Sequence, residues 1–152
     1  MSPPPPVLKT IEVPLPPVAA FSLFAERLGS WWPVETHSIS CASDTRPKAL
    51  ETEPKTGGRI IETLQDGSES VWGHFSVFEP PLALEIVWYV GRTEAEATRI
   101  RVRFEKTDTG TKLTLVHDGF EALGDAAEKQ ADGYRSGWDP VLGRYRAEAR
   151  AA

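Results

Sequence analysis

The chain is expected to fold as α+β, with a curved antiparallel sheet of about seven strands held against a long C-terminal helix and two short helices after the first strand. Three observations lead there. From Ala97 to Glu105 the residues alternate strictly, with Thr98, Ile100, Val102 and Phe104 on one face and Arg99, Arg101, Arg103 and Glu105 on the other. That period belongs to a strand dry on one side and wet on the other. Turn signals divide Gly57 to Gly119 into a series of short strands of this kind. A dry face needs a cover, and the one long amphipathic helical pattern is C-terminal and carries Trp138.

The elements follow in order. Met1-Ser2-Pro3-Pro4-Pro5-Pro6 reads as a disordered tail over residues 1–6, because proline lacks an N–H donor and fixes its own φ; residues 7–152 form a single domain. Val7 to Val13 alternates as a first strand and stops at Pro14, Pro16 and Pro17. Val18, Phe21, Phe24, Ala25 and Leu28 then recur at helical spacing up to Gly29. Ser30-Trp31-Trp32-Pro33 makes a turn or a second short helix. Glu35 to Thr56 is polar and holds Pro47 and Pro54, so it reads as loop with one short strand near Ala49 to Glu53. Further strands are expected from Gly57-Gly58 to Leu64, over Ser70 to Phe78, and from Leu84 to Val90. Two more are expected over Ala97 to Lys106 and Thr111 to His117. Asp66-Gly67 is a hairpin signal. Strict alternation within Ser70 to Phe78 puts Trp72, His74 and Ser76 on one face, opposite Phe75 and Val77. Asp125 to Ala151 places Tyr134, Trp138, Val141, Leu142 and Tyr145 on one stripe. Gly137 costs about 1 kcal/mol there, and Pro140 kinks what is otherwise one helix.

Composition narrows the function classes. The 152 residues suit one domain; 40% are hydrophobic and 26% charged, as in a globular protein. A net charge of −5 argues against nucleic acid, which needs a concentrated basic surface. No apolar run approaches a membrane span, and the N-terminus lacks the pattern of a secretory signal. One cysteine, Cys41, fits a reducing compartment. The expected location is cytoplasmic. His37, His74 and His117 show no metal-ligand spacing, so no metal is expected, and no cofactor motif is present; Gly57-Gly58 lacks the lysine and helix of a phosphate loop.

Motifs at characteristic intervals sharpen the picture: Gly57-Gly58-Arg59, Asp66-Gly67, Trp72-Gly73, Glu79-Pro80-Pro81, Leu84 with Trp88, Thr111 to Leu115 with His117, Gly119-Phe120, and Gly137-Trp138 with Val141-Leu142. Together, over Val7 to Arg150, they resemble the family of the activator of the heat-shock protein 90 ATPase. The likeness is to its stand-alone bacterial members in the START-like, SRPBCC superfamily. The resemblance implies the helix-grip fold, with a cavity between sheet and C-terminal helix. It also implies a choice of activities, since superfamily members carry lipids, sterols, hormones and aromatic polyketides, and a few are cyclases or hydrolases. The eukaryotic activator has a separate N-terminal domain for the chaperone, for which 152 residues leave no room.

The leading expectation is therefore binding of a small hydrophobic or aromatic molecule, for carriage, sequestration or sensing, by a monomer or homodimer. Flat rings with one polar tip suit such a site, and its expected lining is Trp31, Trp32, Phe75, Trp88, Phe104, Leu115, His117, Tyr134 and Trp138. Two alternatives stand beside it. One is a stress-response protein that binds a chaperone. The other is a cyclase- or hydrolase-like enzyme with His117, which shares a face with Leu113 and Leu115, as acid or base. Pairing of Cys41 with His117 is the minimum for thiol catalysis, but nothing brings the two together. Glu62 has precedent in the resembled family; Arg59 or an inner arginine is within its reach, and a surface ion pair is its expected fate.

Overall fold

The computed structural model describes residues 4–151. The expected tail falls partly outside this range at residues 1–3; Pro4–Pro6 precede the first strand without regular structure, and the Pro5 carbonyl accepts a 3.4 Å bond from Arg135 Nη2. Seven strands form one antiparallel sheet: β1 (Val7–Val13), β2 (Ala49–Thr52), β3 (Arg59–Thr63), β4 (Glu69–Glu79), β5 (Ala83–Trp88), β6 (Thr98–Lys106) and β7 (Thr111–Asp118). Their order is β1-β7-β6-β5-β4-β3-β2, a meander from β2 to β7 with β1 returning to pair with β7. Helix α1 (Pro17–Ala25) follows β1, and helix α2 (Ala127–Ala151) closes the chain after a 3₁₀ segment over Phe120–Ala126.

Side-chain period explains which way each strand faces. In β6 every residue of the Thr98, Ile100, Val102, Phe104 set is buried, and every intervening residue is exposed. Two of the outer arginines are ion-paired: Arg99 and Arg101 reach Glu85 at 3.1 and 2.8 Å, and Arg101 also reaches Asp118 at 2.9 Å. In β1, Val7 and Val13 are buried, while Lys9 on the same face pairs with Asp139 of α2 at 2.8 Å.

Strand β4 departs from the expected alternation. Two bulges leave Trp72 unpaired opposite β3 and Ser76 unpaired opposite β5. An extra residue in one strand reverses the parity beyond it, so Trp72 and Phe75 are both buried while His74 stays half-exposed. Gly73, between them, lies so close to β5 that a Cβ there would sit 2.2 Å from the Val87 carbonyl oxygen.

Helix α1 buries Ala20, Phe21, Leu23, Phe24 and Ala25; Val18, expected on that stripe, sits in the first turn and is 69% exposed. The second short helix is a single 3₁₀ turn, Leu28–Ser30. Helix α2 runs as one element through Pro140 and buries Ala131, Trp138, Val141, Leu142, Tyr145 and Ala149. It packs on β1 and α1. Tyr145 Oη donates to the Ala20 carbonyl at 2.7 Å, and Trp31 Nε1 donates to the Leu23 carbonyl at 2.8 Å, tying α1 to the layer beneath α2.

The tight β4–β5 approach makes Gly73 intolerant of any side chain. Gly73→Ala is expected to cost roughly 3 kcal/mol by overpacking, read as a lowered urea midpoint; an unchanged midpoint would show that the two strands are free to separate.

Candidate functional site

On α2, Gln130, Gly133, Tyr134, Gly137, Trp138 and Val141 are linked by i, i+3 and i, i+4 spacings into a single stripe along the helix. Trp32 and His37 face this stripe, and the space between them is a cleft of 160 Å³. Its floor is made by two missing side chains. Nothing lies within 4 Å of a Cβ built on Gly133, and one on Gly137 would meet only His37 Nε2 at 3.8 Å.

The wall opposite α2 is a non-repetitive segment held by its own hydrogen bonds. Trp32 Nε1 donates to the His37 carbonyl at 2.6 Å, the His37 N–H to the Pro33 carbonyl at 2.9 Å, and Ser38 Oγ to the Val34 carbonyl at 2.6 Å. Thr36 Oγ1 lies 2.7 Å from His37 Nδ1. Glu35 pairs with Arg144 across to the helix. The far end of the segment is fastened by Glu62 of β3. This carboxylate is fully buried and takes the N–H groups of Ile39 and Ser40 at 2.9 Å each, the Ser40 hydroxyl at 2.5 Å and Trp72 Nε1 at 2.9 Å. Burial alone would raise its pKa, but the bonds from Ser40, Ile39 and Trp72 outweigh it and hold the group below the usual carboxylate value. The surface ion pair expected of Glu62 is therefore not what the structure has, and neither Arg59 nor another arginine meets it among the described residues. Arg59 is on the outer face and pairs with Glu53 at 3.1 Å, whereas Glu62 points inward beside Ile60.

Behind the cleft lies a cluster of all five tryptophans. Trp32 is its hub, with ring centroids 5.8 Å from Trp31, 5.4 Å from Trp72, 5.8 Å from Trp88 and 5.9 Å from Trp138. Such edge and tilted contacts contribute about 0.5–1.5 kcal/mol each beyond area burial. These rings fill much of the space expected to be hollow. The cleft occupies the strip between α2 and the Trp32–His37 segment.

His117 is wholly buried in this layer. Trp138 Nε1 donates to its Nδ1 at 3.0 Å. An indole nitrogen can only donate, so the imidazole proton is on Nε2, which lies 2.7 Å from Thr98 Oγ1. Thr98 in turn donates to the Trp88 carbonyl at 3.4 Å. Desolvation pulls the His117 pKa down from 6.5 to about 3. With both nitrogens engaged and the ring neutral, His117 orders the buried layer and has no free position for proton exchange with a substrate.

Of the residues expected to line a site, the structure brings Trp32, Tyr134 and Trp138 to the cleft. Trp88 stands one step behind, its Nε1 donating to Tyr134 Oη at 3.0 Å. His117 lies under Tyr134, with ring centroids 4.5 Å apart. Trp31 packs on Phe24 and Tyr145. Phe75 packs on Phe78, Phe104 on Phe21, and Leu115 is in the core, so these three are not at the cleft. Cys41 donates to the Ser38 carbonyl and does not approach His117. His37, Gln130, Gly133 and Gly137 line the cleft without having been expected. A stripe drawn through Tyr134 and Trp138 at helical spacing leads to Gln130, Gly137 and Val141; His37 follows from no periodic signal. Among the described residues, no group of three or more His, Cys, Asp or Glu is placed to hold a metal, and no helix is long and apolar enough to cross a membrane.

Comparison with known proteins adds to this geometry. Residues 16–146 match the model of the family described as "Activator of Hsp90 ATPase homolog 1-like protein". A search of curated proteins returns no match. Among solved structures, the chain is similar to an anthrahydroquino-gamma-pyrone synthase, Txn09, at 25% identity and a TM-score of 0.64, covering 95% of this chain and 97% of that one. A protein from Mycobacterium smegmatis is 18% identical with a TM-score of 0.66, over 97% and 91% of the two chains. An AHSA1-like protein from Aeromonas hydrophila is 17% identical with a TM-score of 0.60, over 94% and 90%.

Two measurements test the polar framework. Glu62→Gln puts an amide NH₂ among four donors and is expected to cost about 3 kcal/mol, measured by chemical denaturation; a loss below about 1 kcal/mol would mean the wall is held by other contacts. The second is pH dependence. His117 titrates near 6.5 when unfolded and near 3 when folded, so between those values the unfolded chain binds the extra proton. Stability is then complete above about pH 6.5 and falls as pH drops, by up to about 1.4 kcal/mol per pH unit. Lowered carboxylates such as Glu62 and Glu85 contribute only below their ordinary 4.5, which leaves the interval from 6.5 to roughly 5 to His117. His117→Gln is expected to flatten the denaturation midpoint over that interval, and a wild-type midpoint constant across it would contradict a neutral, buried imidazole.

Proposed function

We propose that this chain, which belongs to the Activator of Hsp90 ATPase homolog 1-like family, binds a small planar aromatic molecule, or the aromatic end of a larger one, in the cleft between Trp32 and the glycine face of α2. The family fold supports a ligand-binding or polyketide cyclase-like role. The observation that carries the narrower reading is the shape of the cleft, with indoles at Trp32 and Trp138, the Tyr134 phenol alongside, and no side chain at Gly133 and Gly137. Its 160 Å³ compares with the cavity of about 150 Å³ that takes up benzene in an engineered protein. A single ring fits that volume, and a larger molecule fits it with one ring. The two glycines each cost α2 about 1 kcal/mol in helix propensity relative to alanine, so the cleft exists at the expense of the helix that bears it. A carrier, a sequestering protein and a sensor would all use such a site in the same way.

A second reading, ring closure on an aromatic polyketide, is favoured by the 25% identity with the pyrone synthase Txn09. The polar groups it would draw on are His37, Gln130 and Tyr134 of the cleft. Conversion of a polyketide by the wild-type chain, lost in His37→Ala with binding retained, is the result that would establish it. The fold is compatible with chaperone binding as well; an ATPase assay of the chaperone with added protein tests that separately.

The test of the binding reading uses Gly137→Leu, which fills the cleft from its floor. Calorimetric and thermal-shift titrations with one- and two-ring aromatics are expected to show binding to the wild type and at least a tenfold loss in the variant. The melting temperature of the variant should stay equal or rise, because leucine is a better helix former than glycine by up to about 1 kcal/mol. Equal affinity in the two proteins would place any bound ring elsewhere.

A further inference from the structure

We infer that Tyr134 makes the cleft selective for aromatic molecules that carry an acceptor oxygen on the ring system, such as aryl ketones, quinones and phenolates. This rests on the binding reading above and adds a direction to it. The argument is a census of protons. Trp88 Nε1 lies 3.0 Å from Tyr134 Oη, and an indole N–H only donates, so Oη is the acceptor. The phenolic proton must therefore point away from Trp88.

No described residue accepts that proton. The buried groups around Tyr134 are already committed, and all in one direction: Trp138 donates to His117, His117 to Thr98, and Thr98 to the Trp88 carbonyl. His117, the nearest ring, has no lone pair left. Turning the phenol does not help, because rotation about Cβ–Cγ leaves Oη where it is. The ring is also gripped, with centroids 4.5 Å from His117 and 6.1 Å from Phe120. On one side is a small recess of about 10 Å³, lined by Trp88, Arg92, Glu96, Thr98, Leu123 and Gln130 among others, with room for no more than a single water; the Glu96 carboxylate there is taken up by Arg92 and Thr93. On the other is the 160 Å³ cleft. Among the described residues Tyr134 is thus the donor of this layer whose proton has no protein acceptor, and it borders the space in which a ring is proposed to sit. Burial raises its pKa above the ordinary value, which keeps the proton in place at neutral pH. Gln130, farther along the same stripe, offers either sign of partner, so the preference is set by Tyr134.

The experiment titrates acetophenone and ethylbenzene, similar in shape and differing at the carbonyl, into wild type and Tyr134→Phe by NMR. Comparing proteins for each ligand removes the difference in ligand desolvation. The variant is expected to bind acetophenone roughly 2- to 10-fold more weakly, the range of one neutral hydrogen bond, and ethylbenzene with unchanged affinity. If ethylbenzene binds both proteins alike and acetophenone does so too, the selectivity of Tyr134 is overturned while the cleft stands as a binding site. If neither ligand binds wild type, both readings fall. Phenylalanine leaves the Trp88 N–H without its acceptor, so a wild-type measurement guards against an unstable variant. The Trp88 indole proton resonance should move downfield with acetophenone and not with ethylbenzene, because a phenol that donates onward becomes a better acceptor; identical responses to the two ligands would overturn the inference on their own.

Discussion

The buried carboxylate of Glu62 is the constraint on which the cleft depends. A charge without water is tolerated only when donors surround it, and here the donors come from three places: the backbone of Ile39 and Ser40, the Ser40 hydroxyl, and the Trp72 indole. That requirement joins an irregular segment to β3 and β4 more firmly than its few apolar residues could. Among the described residues no cation pairs with Glu62. Its stabilisation therefore has to come from neutral dipoles in fixed positions, and the loop backbone that supplies two of them is immobilised as a consequence. Trp32, eight residues upstream of Ser40, is held in turn by its bonds to the His37 carbonyl and by its packing on Trp72.

A layered dependence results. The sheet supplies a dry face, the tryptophans fill most of it, and His117 fixes the order of donors within the filling. Where α2 lacks side chains, at Gly133 and Gly137, a cleft remains. The rigidity of the surroundings matters here: a gap in a mobile wall would collapse, as relaxed cavities do. The cleft persists because its opposite wall is fastened to a charge at one end and to Arg144 through Glu35 at the other.

Much of this architecture is legible in the residues. The alternation of β6, the hairpin signals and the stripe through Trp138, Val141 and Tyr145 lead to the sheet, its dry face and its covering helix, because period and burial are local properties. What escapes is non-local. The bulge at Trp72 depends on pairing with β3 and cannot be told from unbroken alternation. Glu62 shows the parity of a buried residue beside Ile60, yet a carboxylate is assigned to the surface unless its donors are known, and those lie ten residues away at Trp72 and more than twenty away at Ile39 and Ser40. The aromatic set was readable as a group, but which members border space and which border one another depends on packing. Gly137 was visible only as a cost to the helix; its use appears once Trp32 and His37 are seen across from it.

The tryptophan cluster also has a photophysical consequence. Indoles whose ring centres are under 6 Å apart exchange electronic excitation far faster than they emit. Trp32 stands at that distance from each of the other four. Light absorbed at any of the five therefore reaches the member with the lowest excited state, and the near-ultraviolet dichroism arises from coupled transitions rather than separate chromophores. Because Trp32 is both the junction of this exchange and a wall of the cleft, an occupant with an acceptor level of its own would drain the whole assembly through one contact.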